Sequence, residues 1–312
     1  DLVRSRGLGD VYKRQYLPHL LPVDQTLHWA NPPGPRDHHG SDPTPYTGPV
    51  PIVTHVHGAH TSEDSDGYAE AWYLPDAVNI PNGYATTGTW YDWFNSSTKY
   101  QHNWAAGTAV FDYPNDQPAA TLWYHDHTLG MTRLNVYAGP AGFYLIRGGA
   151  YDVPSGVPGG LPGPAPQLGD PPNVAYHEIP IVIQDRSFNA DGSLFYPSSR
   201  AFFDGFAGPY APTTDVAPIW NPEFFGNSMV VNGRTWPYLA VEPRRYRFRF
   251  LNGCNSRFLI LRLGQNPLAN NQKKPGLPFV QIGGDQGFLQ DPVILTQLLI
   301  GPAERADVIV DF

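Results

Sequence analysis

The chain has 312 residues, which is enough for two domains of ordinary size, each with its own hydrophobic core. Its formal net charge of −8 and the lack of any Lys/Arg cluster argue against nucleic-acid binding. No run of 18 apolar residues occurs, so the sequence predicts no transmembrane helix. Gly and Pro are abundant, and 13% of the residues are aromatic while 15% are charged. That mixture predicts short strands joined by tight turns, and therefore an all-β protein.

The first fifteen residues differ in their pattern of apolar and polar residues from the rest of the chain. Residues 1–15 show no apolar period, and they lack the apolar segment and cleavage site of a signal peptide. We interpret them as a non-native leader outside the fold. On that interpretation the first domain lacks its opening strands, which would leave an unpaired sheet edge and a tendency to self-associate.

A Gly/Pro-rich stretch divides the rest of the chain. Residues 148–176 cannot pack as a regular element, so we interpret them as a linker. The predicted domains are therefore 16–147 and 177–312.

Two strand-like segments in the first domain each carry a pair of histidines. The first segment, 51–58, contains His55 and His57, and the second, 121–127, contains His125 and His127. Side chains on a strand alternate between faces, so the two histidines of each pair point the same way, roughly 7 Å apart. Four convergent imidazoles would form a nitrogen-donor site of the kind that suits Cu, Zn, Fe or Ni.

An acidic turn follows the first histidine pair. It contains Glu63, Asp64 and Asp66. Acidic turns are commonly just solvated, but the position of this one beside candidate ligands suggests a supporting or proton-donating role for one carboxylate.

The second domain carries no comparable cluster. Residues 246–251 alternate apolar and basic side chains, including Arg247 and Arg249, which predicts a half-buried antiparallel strand. Cys254 is the single cysteine, so no internal disulfide can form. No histidine lies beside it, and we interpret it as a small buried hydrophobe and not as a nucleophile or copper thiolate.

These segments together resemble the multicopper oxidases, in particular the branch of bacterial spore-coat laccase, bilirubin oxidase and phenoxazinone synthase. The resemblance runs from about residue 16 to the last residue. It is carried by two histidine motifs and several flanking segments: 55–58, 64–72, 123–127, 132–139, 191–197, 231–233, 236–239, 241–244, 246–249 and 302–305.

The resemblance implies a fold and a site. Both domains would be cupredoxin-like Greek-key β-barrels. His55 would ligate the type 2 copper, His57, His125 and His127 would ligate the paired type 3 coppers, and Asp66 would help to move protons to oxygen. The family couples one-electron oxidation of phenols or aromatic amines to four-electron reduction of O2 to water.

The chain also departs from the family pattern. The family's third domain supplies the type 1 cysteine and further histidines, and neither of its motifs occurs here. We therefore expect a fragment with half of the trinuclear-cluster ligands, no type 1 site, a third domain that is absent, and no complete catalytic cycle on its own.

Two other interpretations stay open. A zinc hydrolase could use a third histidine at His60, although such a motif needs an Asp where Ala59 stands. Alternatively, the chain could be a non-catalytic β-sandwich scaffold or binding fragment with incidental histidines. A copper titration separates the second interpretation from the oxidase.

Overall fold

The computed structural model describes residues 2–10, 12–25, 27–34, 44–148, 156–157, 159–199, 201–205, 223–264 and 276–312. Within these ranges, strands far outnumber helices, so the all-β prediction is confirmed. None of the described helices is long and apolar enough to cross a membrane.

The elements follow one another in chain order. The strands are β1 (Leu2–Arg6), β2 (Gly9–Asp10), β3 (Gln15–Tyr16), β4 (Thr54–His57), β5 (Thr108–Asp112), β6 (Ala120–Asp126), β7 (Ala141–Ile146), β8 (Glu178–Phe188), β9 (Leu194–Phe195), β10 (Ser228–Val231), β11 (Arg234–Thr235), β12 (Arg245–Asn252), β13 (Leu259–Leu261), β14 (Phe279–Gly284), β15 (Gly287–Leu295), β16 (Leu298–Ile300) and β17 (Arg305–Asp311). The helices are α1 (Thr89–Ser96), α2 (Thr132–Ala138) and α3 (Ala201–Asp204).

The chain divides into two compact units that interleave along the sequence. Unit 1 comprises Asp1–Asp116, Tyr124–Gly142 and Ser187–Phe224, and unit 2 comprises Gln117–Trp123, Phe143–Arg186 and Phe225–Phe312. The contiguous domains 16–147 and 177–312 stay a prediction. Of the linker 148–176, residues 149–155 and 158 lie outside the described residues, and the described part forms no helix or strand.

Residues 1–15, which we expected outside the fold, contribute strands to unit 1. Strand β1 pairs antiparallel with β5 over five residues, and β2 pairs with β3. The amide of Gly7 donates to the carbonyl of Gly107 at 2.9 Å. This pairing could not be predicted from the residue pattern, because backbone hydrogen bonds need no apolar pattern and the partner strand lies about a hundred residues away along the chain.

Unit 1 has a core rich in aromatic residues around helix α2. Leu134 and Tyr137 of this helix pack with residues from the early loops, among them Trp29 and Tyr46. The Tyr137 hydroxyl donates to the carbonyl of Phe195 at 3.0 Å. The helix is thus fixed by apolar burial on one side and by a hydrogen bond at its last turn.

Unit 2 is built on one mixed sheet. Its strand order is β11-β10-β8-β12-β17-β14-β15. The pairing of β8 with β12 is parallel, and the other pairs along this path are antiparallel. A parallel pair needs a crossover connection, here the long segment that carries β9 to β11.

Buried charges occupy the centre of this sheet. Arg247 and Arg249 of β12 are each 2% exposed, so the prediction of a half-buried strand was wrong. Arg247 donates to Asp307, and Arg249 Nε donates to Glu178 Oε1 at 2.6 Å. The arginines are buried because carboxylates on the two neighbouring strands neutralise them, which a pattern of apolar and basic residues does not reveal.

Glu178 is the centre of this charge cluster. Burial alone would raise the pKa of Glu178, but the hydrogen bond from Arg147 and the charges of Arg249 and Arg247 hold it below its ordinary value. A group with a depressed folded pKa stabilises the fold above its unfolded pKa, and this stabilisation is lost as the pH falls through the folded pKa.

We therefore expect Glu178→Gln to destabilise unit 2 at neutral pH by about 3–5 kcal/mol, because it leaves buried arginine charge uncompensated. The difference from the unmutated chain should shrink in acid, below the ordinary pKa of glutamate. Urea unfolding at both pH values measures it. Glu242→Gln, at a carboxylate that is 59% exposed, is the matched control and should change little.

Candidate metal centre

Strands β4 and β6 bring the two histidine pairs together. The two strands are neighbours in a three-stranded sheet of order β4-β6-β7. The ring centroid of His55 lies 5.2 Å from that of His125 and 4.9 Å from that of His127. The centroids of His57 and His125 are 5.6 Å apart. The four imidazoles that the sequence singled out therefore form one cluster.

Three of these histidines present nitrogens at metal-binding distances from one another. One ring nitrogen from each of His55, His57 and His125 lies within 4.8 Å of the other two. His57 Nδ1 is 3.4 Å from His125 Nε2, and the ring of His127 flanks the group beside His55. A set of imidazole nitrogens at such spacing can ligate a transition-metal ion such as Cu or Zn.

Backbone carbonyls orient two of the rings. His55 Nδ1 donates to the carbonyl of Asp66 at 2.6 Å, and His125 Nδ1 donates to the carbonyl of Asp126 at 2.6 Å. A histidine that donates from Nδ1 carries its lone pair on Nε2, so both rings are held with Nε2 as the ligand atom.

Burial keeps His125 and His127 of the cluster uncharged. Burial, with a smaller contribution from the neighbouring histidines, lowers the pKa of His125 to about 3. It also lowers the pKa of His127, again with His55 adding to the effect. Neutral imidazole is the form that binds metal, so these rings need no deprotonation at neutral pH.

Asp66 lies at the mouth of the cluster. Its carboxylate oxygen Oδ1 is 3.3 Å from His55 Nδ1, and its side chain is 54% exposed. With Glu63 and Glu70 it lines an open pocket of about 520 Å³ that reaches His55 and His127. The pocket therefore presents solvated carboxylates to the imidazoles.

Gly67 allows this close approach. Its φ is +71°, and an added Cβ would lie 2.6 Å from the carbonyl oxygen of Thr54 and 2.7 Å from the Cβ of His55. A side chain at this position would thus push the acidic turn away from β4, and with it the carbonyl that orients His55.

Sequence reasoning missed Asp126, which lies between His125 and His127. Its side chain points to the opposite face and is buried, and it accepts four hydrogen bonds. The donors are the amides of Val53 and Thr128, the Thr128 hydroxyl and the Asn135 side chain, at 2.8–3.0 Å. Burial raises the pKa of Asp126 to about 6 despite these bonds. The one available signal was an acidic residue inside an apolar strand with Thr two positions later.

Two other candidates do not join the cluster. His60 is 60% exposed and lies 3.8 Å from Asp116, so the third ligand needed by a zinc hydrolase is not placed with His55 and His57. Cys254 lies in unit 2 and is buried, and burial raises the pKa of its thiol to about 12. It behaves as the buried hydrophobe that the sequence predicted.

The chain is similar in sequence to laccases and multicopper oxidases. It is 38% identical to a laccase of Bacillus stratosphericus over 95% of this chain and 45% of that protein. It is 36% identical to multicopper oxidase LPR1 homolog 3 of Oryza sativa subsp. japonica over 94% of this chain and 42% of that protein. No protein-family model matches the chain. The resemblance noted in the sequence is confirmed, and the chain spans less than half the length of these relatives.

A solved structure shows the same fold. A multi-copper oxidase from Pediococcus acidilactici aligns with a TM-score of 0.54 and 25% sequence identity, over 84% of this chain and 40% of that one. The match supports the cupredoxin-like fold class that the resemblance implied.

We expect Asp126→Ala to destabilise unit 1 by at least about 3 kcal/mol, because several buried donors lose their acceptor and each costs roughly 1–3 kcal/mol. Denaturant unfolding measures the change. Asp116→Ala, at a side chain that is 69% exposed, is the control and should stay within about 0.5 kcal/mol of the unmutated chain. Equal losses of stability in the two variants would show that the hydrogen bonds to Asp126 do not hold these segments in place.

Proposed function

We propose that this chain is part of a laccase-like multicopper oxidase, in which its four clustered histidines bind copper at the site where O2 is reduced to water. The observation that carries the proposal is the convergence of nitrogen donors from β4 and β6 in a chain similar to laccases. The reducing substrates would be phenols or aromatic amines.

The four histidines divide between two proposed roles. His55 would bind the type 2 copper, and His57, His125 and His127 would bind the paired type 3 coppers. The fit is supported by the donor set itself, since imidazole binds copper in both oxidation states. It is also supported by the hydrogen bonds of His55 Nδ1 and His125 Nδ1 to backbone carbonyls, which hold these rings with Nε2 as the ligand atom.

The chain's own residues would prepare the site for proton and electron transfer. Copper, when bound, supplies the one-electron steps that connect an organic donor to O2. Asp66 would hold a proton at the pocket mouth and deliver it towards the cluster, where reduction consumes protons. Asp126 would keep the two ligand strands in register, and burial around His125 would limit the access of water.

The full catalytic cycle would need a type 1 copper besides these four histidines. The chain spans less than half the length of the relatives it matches, and we propose that the type 1 ligands would come from other residues. A scaffold without metal remains the competing function, and copper binding decides between the two.

We expect the chain to bind Cu(II) through nitrogen ligands, and His55→Ala/His125→Ala to abolish this binding. Metal analysis and EPR after reconstitution provide the measurement, with nitrogen hyperfine splitting as the signature of imidazole ligation. His60→Ala is the matched control, because it removes an exposed histidine near the cluster in sequence.

Copper that is retained in the double variant, or lost equally in the control, would contradict the site. Copper bound no better than by the double variant would favour the metal-free scaffold.

We further expect the copper-loaded chain to show no laccase turnover, because the family's type 1 copper needs a cysteine thiolate and Cys254 is buried with its pKa raised to about 12. Oxygen consumption with a phenolic donor tests this. A thiol reagent should modify Cys254 only after unfolding. Turnover that disappears in Cys254→Ser would overturn the expectation.

A further inference from the structure

Asp64 is a buried carboxylate of the acidic turn, and the proposed function gives it no role. Its side chain is 5% exposed, and it accepts hydrogen bonds from the hydroxyls of Ser62 and Ser65. His102 Nε2 donates to Asp64 Oδ2 at 2.6 Å. The two serines belong to the turn itself, whereas His102 lies 38 positions further along the chain. The hydrogen bond between His102 and Asp64 therefore ties the turn to a separate segment of unit 1.

Helix α1 fixes the position of His102. The ring of His102 stacks on that of Trp104, with the centroids 4.5 Å apart and the planes 21° from parallel. The amide of Trp104 donates to Asn95 Oδ1 of the helix at 2.7 Å. The ring of Trp104 also lies 5.0 Å from that of Tyr91, a buried residue of the same helix. His102 thus connects the acidic turn to a well-packed helix.

The other end of the turn meets the histidine cluster. The carbonyl of Asp66, two residues after Asp64, accepts the hydrogen bond from His55 Nδ1 at 2.6 Å. Gly67 comes next, and an added Cβ there would lie 2.6 Å from the carbonyl oxygen of Thr54, so the turn is in close contact with β4. The orientation of the His55 ring therefore depends on where the turn lies.

The turn is held by two ion pairs that differ in burial. Lys99 Nζ lies 2.9 Å from Glu63 Oε1, but these side chains are 65% and 58% exposed, so water screens their attraction. The side chains of His102 and Asp64 are 18% and 5% exposed, and a buried pair is screened much less. A buried carboxylate that loses a donor is also costly, because water reaches it poorly. The buried pair is thus the stronger constraint on the turn.

We propose that His102 and Asp64 are positioning residues, whose hydrogen bond fixes the acidic turn so that the carbonyl of Asp66 holds His55 with Nε2 as its ligand atom. The supporting role that the sequence suggested for one carboxylate of this turn falls to Asp64. The consequence for copper rests on the proposed function, whereas the effect on the His55 ring belongs to the metal-free chain as well.

Nuclear magnetic resonance of the metal-free chain, with nitrogen-15-labelled histidine, tests the orientation of His55. The spectra are taken at a pH where imidazole is neutral, and the His55 signals are assigned by their absence in His55→Ala. In the unmutated chain His55 should be the Nδ1–H tautomer alone. His102→Phe keeps a ring to stack on Trp104 but removes the donor, and we expect His55 to exchange between both tautomers. His102→Gln loses the ring but keeps a donor amide, and it should restore the single tautomer.

Copper binding gives a second readout of the same variants. We expect His102→Phe to weaken Cu(II) binding about tenfold, as is typical when a residue that orients a metal ligand is lost. The nitrogen hyperfine splitting in the EPR spectrum should change with it, and His102→Gln should behave like the unmutated chain. Asp64→Ala should match His102→Phe. The double variant should be no worse than either, because both substitutions break one hydrogen bond.

Lys99→Met is the matched control. It breaks the exposed ion pair to Glu63 on the same turn and should change neither the tautomer of His55 nor the affinity for Cu(II). Urea unfolding of each metal-free variant is measured alongside, so that only folded chains are compared. Should His102→Phe not fold, Asp64→Ala provides the same two readouts.

The remaining outcomes separate the inference from the proposed function. A single His55 tautomer in His102→Phe and Asp64→Ala would overturn the inference and leave the proposed function standing. A loss in His102→Gln equal to that in His102→Phe, or an equal loss in Lys99→Met, would assign the effect to packing of the segment and would also overturn it. A chain that shows the tautomer change but binds no copper would overturn the proposed function and leave the positioning of His55 standing.

Discussion

The candidate metal centre depends on one buried carboxylate. Asp126 binds the amide of Val53, just before β4, the amide and hydroxyl of Thr128 after β6, and the side chain of Asn135 on α2. The alternation of a strand requires that when Asp126 points inward, His125 points to the other face. The four hydrogen bonds that fix Asp126 therefore also fix the spacing between the histidine pairs.

Buried polar groups are accommodated in two opposite ways. Around His125, burial disfavours the charged imidazolium and lowers its pKa, so the ring is neutral at neutral pH. In the sheet of unit 2, Arg247 and Arg249 keep their charges because Glu178 and Asp307 lie within hydrogen-bonding distance. Neutral imidazoles can ligate a metal ion, whereas the arginine–carboxylate pairs hold neighbouring strands together. This contrast explains why the histidine cluster, and not the larger charge cluster, is the candidate site.

The histidine pairs were predictable because period-2 spacing places two side chains on one face whatever the surrounding fold. Their convergence needed a resemblance to a known family, since nothing local brings β4 beside β6. The structural role of Asp126 was missed because the donors on Val53 and Asn135 lie outside its own strand. The strand that carries Arg249 was predicted to be half-buried, and the full burial of Arg249 was missed because its partners lie on strands far away in sequence. The pairing of β1 with β5 was also missed, because its strands are far apart in sequence and backbone hydrogen bonds do not depend on amino-acid composition.

His57 and His125 lie in contact although they are 68 positions apart along the chain. Closing so long a loop costs conformational entropy before any contact compensates for it, so the β4–β6 pairing is expected to form late in folding. Until then each histidine pair is a separate, weak chelate on a flexible segment. An ion that bridges both pairs acts as a cross-link between distant parts of the chain, and its binding free energy adds to the folding free energy. The order of events would then matter in the cell, because a metal captured by one pair too early could hold the chain in an unproductive arrangement.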